Sequence, residues 1–236
     1  NEVTDYTVSV SPSCSGVAGP AVSTTFTTNC ALGGDVIVGT PEATTNTSGQ
    51  CLPCHTYYNY SYSQQIFDAA EVSDIADTVH GIAFQYFYGT NITRNIEIYL
   101  GHTDQATYTA TSDYVPGGAF VKVYDGSVEF TNTGENNWHS INFTTPFVYD
   151  ADSNLVITVI DKTGSYVNGV SKFRTHATNE TKAIAFYQDT GSPYTLIPSG
   201  GNSAMYGNRN NVKFITPCQV ATCYPPNLIA EYVGSY

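Results

Sequence analysis

The stretch Asn95-Ile96-Glu97-Ile98-Tyr99-Leu100 decides the fold. Successive side chains of a strand point to opposite faces, so Ile96, Ile98 and Leu100 share one side while Asn95, Glu97 and Tyr99 share the other. The same two-residue period spreads outward. Upstream it takes in Ile82, Phe84 and Tyr86; downstream it takes in Val128 and Phe130, Ile141 and Phe143, then Leu155, Ile157 and Val159. Strand-like runs at Val3–Val10, Val22–Thr28, Asp35–Gly39 and Tyr57–Phe67 precede these, and Ala183–Tyr187 and Val212–Ile215 close the series. Only Asp68–Ile75 reads as a helical turn. Asp125–Gly126, flanked by Val123 and Val128, is expected to be a two-residue hairpin turn. About eleven to thirteen short strands without intervening helices predict an all-β chain, an antiparallel β-sandwich that is jelly-roll-like.

Composition points the same way. Hydrophobic residues make up 41% of the 236 positions, enough for a core, and 19 Tyr bring the aromatic share to 13%. Charged residues reach only 12%, against roughly 25% in an average globular chain, so the polar surface is built mainly from Thr, Ser, Asn and Tyr. These residues suit strands and turns. The net charge of −12 lacks the basic surface that nucleic acid requires, and it disfavours anionic membranes. No run of 18 apolar residues is present, so no membrane insertion by this chain is expected.

The six cysteines fall in close pairs: Cys14 with Cys30, Cys51 with Cys54, and Cys218 with Cys223. An even number at short spacings suits disulfides in an oxidising compartment, with the pairing left open; zinc is the weaker reading, for want of four well-spaced ligands. The expected localisation is secreted or at the cell surface. Three segments are expected: 1–39 as an N-terminal extension or extra strands, 40–217 as the sandwich, and 218–236 as a linker and the start of a following module. Pro225–Pro226 would stiffen that linker.

No sequence motif of a nucleophile elbow, a phosphate loop or a zinc protease occurs. The histidines, His55, His80, His102, His139 and His176, stand singly, and the expectation is a protein that is not an enzyme. The best metal candidate is calcium on Asp150, Asp152 and Asn154 with Asp161, since alternate oxygen side chains can face one hard cation. The EF-hand pattern fails there, because Leu155 stands where that loop needs glycine. For carbohydrate, exposed aromatic rings can pack on sugar C–H faces. Tyr88, Tyr114, Trp138 and Tyr206 are the ligand-binding candidates, and Tyr57, Tyr58, Tyr60, Tyr62 and Tyr86 belong to the same wider set.

Several stretches carry a family resemblance. They are His55-Thr-Tyr-Tyr-Asn-Tyr-Ser-Tyr-Ser-Gln-Gln-Ile-Phe67, Ile96-Glu-Ile-Tyr-Leu-Gly-His-Thr103, Thr111-Ser-Asp-Tyr-Val-Pro116, Val123-Tyr-Asp-Gly-Ser-Val128 and Thr145-Pro-Phe-Val-Tyr149 with Asn154-Leu-Val156. Together they resemble a secreted, adhesin-like surface module of Bacteroidetes, distantly similar to the adhesin domains of gingipains. Such modules stand beside fibronectin type III repeats, whose opening strand residues 228–236 resemble. The resemblance implies a jelly-roll sandwich that attaches rather than catalyses, and it carries over no catalytic residue. Cys51 and Cys54, and the first 34 residues, depart from the pattern. The expected partner is a glycan or a cell-surface protein. The alternative is a structural stalk or self-assembling fibre subunit, and a polysaccharide-active enzyme stands third.

Overall fold

In the computed structural model, residues 4–14, 16–28, 34–40, 52–75, 77–88, 90–131, 137–168 and 172–217 are described. In chain order the strands are β1 (Thr4–Val10), β2 (Ser13–Cys14), β3 (Val17–Ala18), β4 (Val22–Thr28), β5 (Val36–Val38), β6 (Tyr60–Phe67), β7 (Thr78–Tyr88), β8 (Ile92–Thr103) and β9 (Phe120–Phe130). They continue as β10 (Trp138–Val148), β11 (Asn154–Asp161), β12 (Lys172–Phe173), β13 (Thr175–Ala177), β14 (Ala183–Gln188), β15 (Asn202–Tyr206), β16 (Asn208–Asn210) and β17 (Val212–Ile215). The expected helical turn is a single 3-10 turn at Ala69–Glu71.

Two antiparallel sheets make an all-β sandwich. One has six strands in the order β15-β14-β6-β11-β8-β9; the other runs β10-β7-β17-β5, with β12 also paired to β7. The chain changes sheet repeatedly, from β6 to β7, back to β8, and again from β9 to β10 to β11. Within residues 1–39, β5 pairs with β17 at the edge of the five-stranded sheet, and β1 and β4 form a separate hairpin. The expected module start at 218–236 lies outside the described residues.

The core between the sheets is the period-two pattern made solid. Ile96, Ile98 and Leu100 of β8 and Leu155, Ile157 and Val159 of β11 meet Ile82, Phe84 and Tyr86 of β7 and Val212 and Phe214 of β17. Each such aliphatic side chain withdrawn from water contributes about 1.5–3 kcal/mol.

The six-stranded sheet also buries its outer face, which alternation alone does not announce. Tyr62, Ile66, Val156, Ile160, Ile184 and Phe186 form a second cluster, roofed by Tyr108 and Val115 from the β8–β9 connection and Tyr194 from the β14–β15 connection. Gln64 fastens that roof: its Nε2 donates to Thr158 Oγ1 (3.1 Å), and its Oε1 accepts from Val115 N (2.6 Å) and the Tyr108 hydroxyl (3.0 Å). Gln65, pointing the other way, exchanges two hydrogen bonds with Asn210.

Asp125–Gly126 is not a turn. Both residues lie inside β9, with Asp125 opposite Glu97 and Gly126 opposite Ile96. The glycine serves space instead, since a Cβ there would stand 3.1 Å from the Tyr124 hydroxyl oxygen. The irregularity in this pair falls one step away, at Ile98/Tyr99.

Candidate functional site

The apolar rows of β8 and β11 end in charge. Arg94 is in phase with Ile92 and Ile96, and Asp161 is in phase with Val159, so both side chains face the sandwich interior at its end. They form an ion pair at 2.5 Å with no exposed side-chain surface. Arg94 Nη1 also donates to Ser165 O (2.8 Å), and Nη2 to Tyr58 O (3.2 Å). Asp161 Oδ1 accepts from the Thr163 amide and hydroxyl. Burial pushes the Asp161 carboxyl above its ordinary value, against the pull of Arg94 and Thr163. The pair thus ties loop 52–59 to loop 162–168, a junction completed by main-chain bonds Val167 N to Thr56 O and Gly164 N to Asn59 O.

Over this junction lies an aromatic ledge. Tyr57 and Tyr166 are each 54% exposed, with ring centroids 6.0 Å apart. Tyr58 stands edge-on to Tyr57 at 5.8 Å and lies 4.6 Å from Tyr187. His55 supports them from below, 4.6 Å from both Tyr58 and Tyr187. The imidazole is buried, its Nδ1 has no hydrogen-bond partner among the described residues, and burial lowers its pKa to about 4. Asn59 closes one side by bonding Asp189 through its amide and side chain.

The residues singled out from sequence fall elsewhere. Tyr114 is half-buried against the outer-face cluster, and Tyr206 packs beside Leu52, Ala183 and Ala185. Trp138 opens β10, with the Lys213 ammonium 5.4 Å from its ring centre. Tyr88 ends β7, and its side chain lies outside the described set. Tyr114, Trp138 and Tyr206 lie against different clusters and are not gathered into one site. Tyr57 and Tyr58, from the wider aromatic set, do reach the ledge; Tyr166 and Tyr187 were missed, the first in a loop without pattern and the second at a strand end. The visible signal was a charge in phase with each apolar row, Arg94 and Asp161.

The calcium set is corrected by the same geometry. Asn154 and Asp161 are the two ends of β11, about 23 Å apart at strand rise, so they cannot share one cation. Asp150 shapes its own turn, accepting from Asp152 N and Ser153 Oγ, and Asn154 bridges Ala69 N and Gln105 O. Among the described residues no three His, Cys, Asp or Glu side chains gather as a metal site. Cys54, expected in a disulfide, has no disulfide partner among the described residues; its side chain has no exposed surface, and burial pushes the thiol pKa well up. Cys30, Cys51, Cys218, Cys223 and the side chain of Cys14 lie outside the described residues.

A cavity of about 380 Å³ beside the 3-10 turn is lined by Asp68, Glu71, His176, Lys182 and Arg209 among others. Its carboxylates are committed: Asp68 to Lys182 at 2.7 Å, Glu71 to Arg209. Burial would raise Glu71, but the Arg209 hydrogen bond and charge hold it below the usual carboxylate value, the opposite of what a general acid needs.

No protein-family model matches the chain, so the adhesin-like resemblance rests on the quoted stretches alone. No curated protein matches it either. Among solved structures it is similar to the cysteine protease and lectin-like domains of Cwp84, a surface layer associated protein of Clostridium difficile, at 9% identity and a TM-score of 0.36. The match covers 67% of this chain and 32% of that one. At that score the likeness carries no functional weight. No helix among the described residues is long and apolar enough to cross a membrane.

Proposed function

We propose that this chain is a non-catalytic, extracellular binding module that attaches to glycans or cell-surface proteins through the aromatic ledge. The observation that carries the reading is the exposure of Tyr57 and Tyr166 on a frame held by a buried ion pair. Rigid, half-exposed tyrosines offer large apolar contact area with little side-chain entropy to lose, and their rings fit the C–H faces of sugars. The test is a glycan and matrix-protein array probed with the whole chain and with Tyr57→Ala and Tyr166→Ala variants. Hits lost in both variants support the reading; a blank array, or hits that both variants keep, overturns it.

A second reading, a self-assembling structural subunit, is favoured by the β1–β4 hairpin. Val8, Val10 and Val22 share one face of that two-stranded sheet and are 44%, 63% and 75% exposed. Two-stranded ribbons are marginal alone in water, and an apolar stripe with open edges suits pairing with a second copy. Light scattering across a concentration series, with Val10→Thr/Val22→Thr as control, separates the readings: a monomer at every concentration excludes self-assembly.

A further inference from the structure

The outer face of the six-stranded sheet carries a groove of about 480 Å³ that has no part in the ledge. Its floor comes from β8 alternation, which places Glu97 and Tyr99 outward when Ile96 and Ile98 face the core. The β8–β9 register sets Lys122 opposite Tyr99 and Asp125 opposite Glu97. Lys162 arrives from just past the end of β11, and Leu196 and Ile197 from the β14–β15 connection form the far wall.

The polar groups close into a ring. Lys122 Nζ reaches Glu97 (2.9 Å) and Asp125 (3.2 Å), and Lys162 Nζ reaches the same two carboxylates at 2.9 and 2.7 Å. The Tyr99 hydroxyl donates to the second oxygen of Glu97 at 2.7 Å. Two ammonium groups against two carboxylates leave the ring with no net charge. Each ammonium has three donors and spends two of them here, and the carboxylates keep spare lone pairs. The ring therefore presents donors and acceptors side by side, with Lys122 and Asp125 open to solvent at 43% and 44% of their side-chain surface. Beside them Ile197 stands 65% exposed and the Tyr99 ring is half-buried.

A saccharide has this same double character. Its hydroxyls both donate and accept, and one ring face is apolar. A ring of zero net charge on a chain of net charge −12 offers nothing to attract an acidic sugar. We propose that this groove is a second glycan-binding site, selective for neutral saccharides, with Lys122, Lys162, Glu97 and Asp125 bonding hydroxyls and Tyr99 and Ile197 taking the apolar face. The proposal rests on the glycan-binding reading above but on different residues.

The test is titration calorimetry of the whole chain with neutral hexose oligosaccharides and with uronate-containing oligosaccharides, at low and at high salt. Neutral sugars are expected to bind with an affinity that salt leaves within about twofold, since no net charge is matched. Ile197→Ser, an exposed position that leaves the fold intact, and Lys122→Met are each expected to weaken binding about tenfold or more, a loss of about 1.4 kcal/mol. In a Tyr57→Ala background, which silences the ledge, the neutral-sugar binding that Ile197→Ser removes is expected to persist. Preference for uronates with steep salt dependence overturns the selectivity. Neutral binding that falls only in Tyr57→Ala overturns the groove while keeping the ledge, and absence of any saccharide binding overturns the groove while leaving the ledge to the matrix-protein arm of the array.

Discussion

The two faces of the six-stranded sheet are buried by different means. The inner face is sealed by a second sheet and filled with Ile, Leu, Val and Phe, whose contacts have no preferred partner atoms. The outer face is sealed by two connections, and its cluster is rich in tyrosine and tied through Gln64 to a hydroxyl, an amide and a threonine. A strand such as β11, buried along nearly its whole length, belongs to both. The difference teaches that loops can cover a sheet when directed hydrogen bonds replace some of the apolar area a second sheet would supply, and that the binding surfaces then lie among those loops.

The largest expected effect tests the charged end of the inner face. Arg94→Met leaves Asp161 buried without its cation and releases two loop carbonyls; urea unfolding should show a loss of about 3–5 kcal/mol. A loss under about 1 kcal/mol would mean that the pair does not hold the ledge. Next comes a direct comparison on one strand, since Ile157 faces inward and Ile160 outward, both fully buried. Each truncation to Ala falls in the range of about 2–5 kcal/mol, with Ile157 at the upper end because two sheets cannot close a cavity and Ile160 at the lower end because loops can. Equal costs would break the comparison.

Acidity gives the next effect. His55 is neutral when folded, with a pKa of about 4, against about 6.5 in the unfolded chain. A lowered histidine pKa means that stability is full above the unfolded value and drains as pH falls toward the folded one. Between pH 7 and pH 5 the chain should lose about 2 kcal/mol, and His55→Phe should flatten that slope. On the outer face, Gln64→Leu orphans Val115 N and the Tyr108 hydroxyl, with an expected cost of about 1–3 kcal/mol and faster amide exchange in residues 104–119. Tyr57→Ala should change stability by less than about 0.5 kcal/mol, so any binding loss it causes is a loss of contact.

The inner face was legible in the sequence because one period, read at Ile96, Ile98 and Leu100 and repeated at Leu155, Ile157 and Val159, states which side is dry. The outer face was not. Burial there comes from residues remote in sequence, and only the near-continuous apolar run Leu155–Ile160 hints that β11 is covered on both faces. Asp125–Gly126 misled for a related reason, as a dipeptide that favours a turn was held extended by pairing with β8 and by two lysines. The ledge was half legible. Tyr57 and Tyr58 stood out by their density, whereas Tyr166 reaches the site through the junction that Arg94 makes and Tyr187 through the pairing of β14 with β6.

That junction has a consequence for how the surface can change. Arg94 grips Tyr58 and Ser165 by their main-chain carbonyls, groups that every residue type supplies. The frame therefore does not depend on which side chains stand at the exposed positions 57, 165 and 166. Those positions form an interchangeable face on a fixed mount, and a library randomised there should yield folded proteins of altered specificity at a high rate.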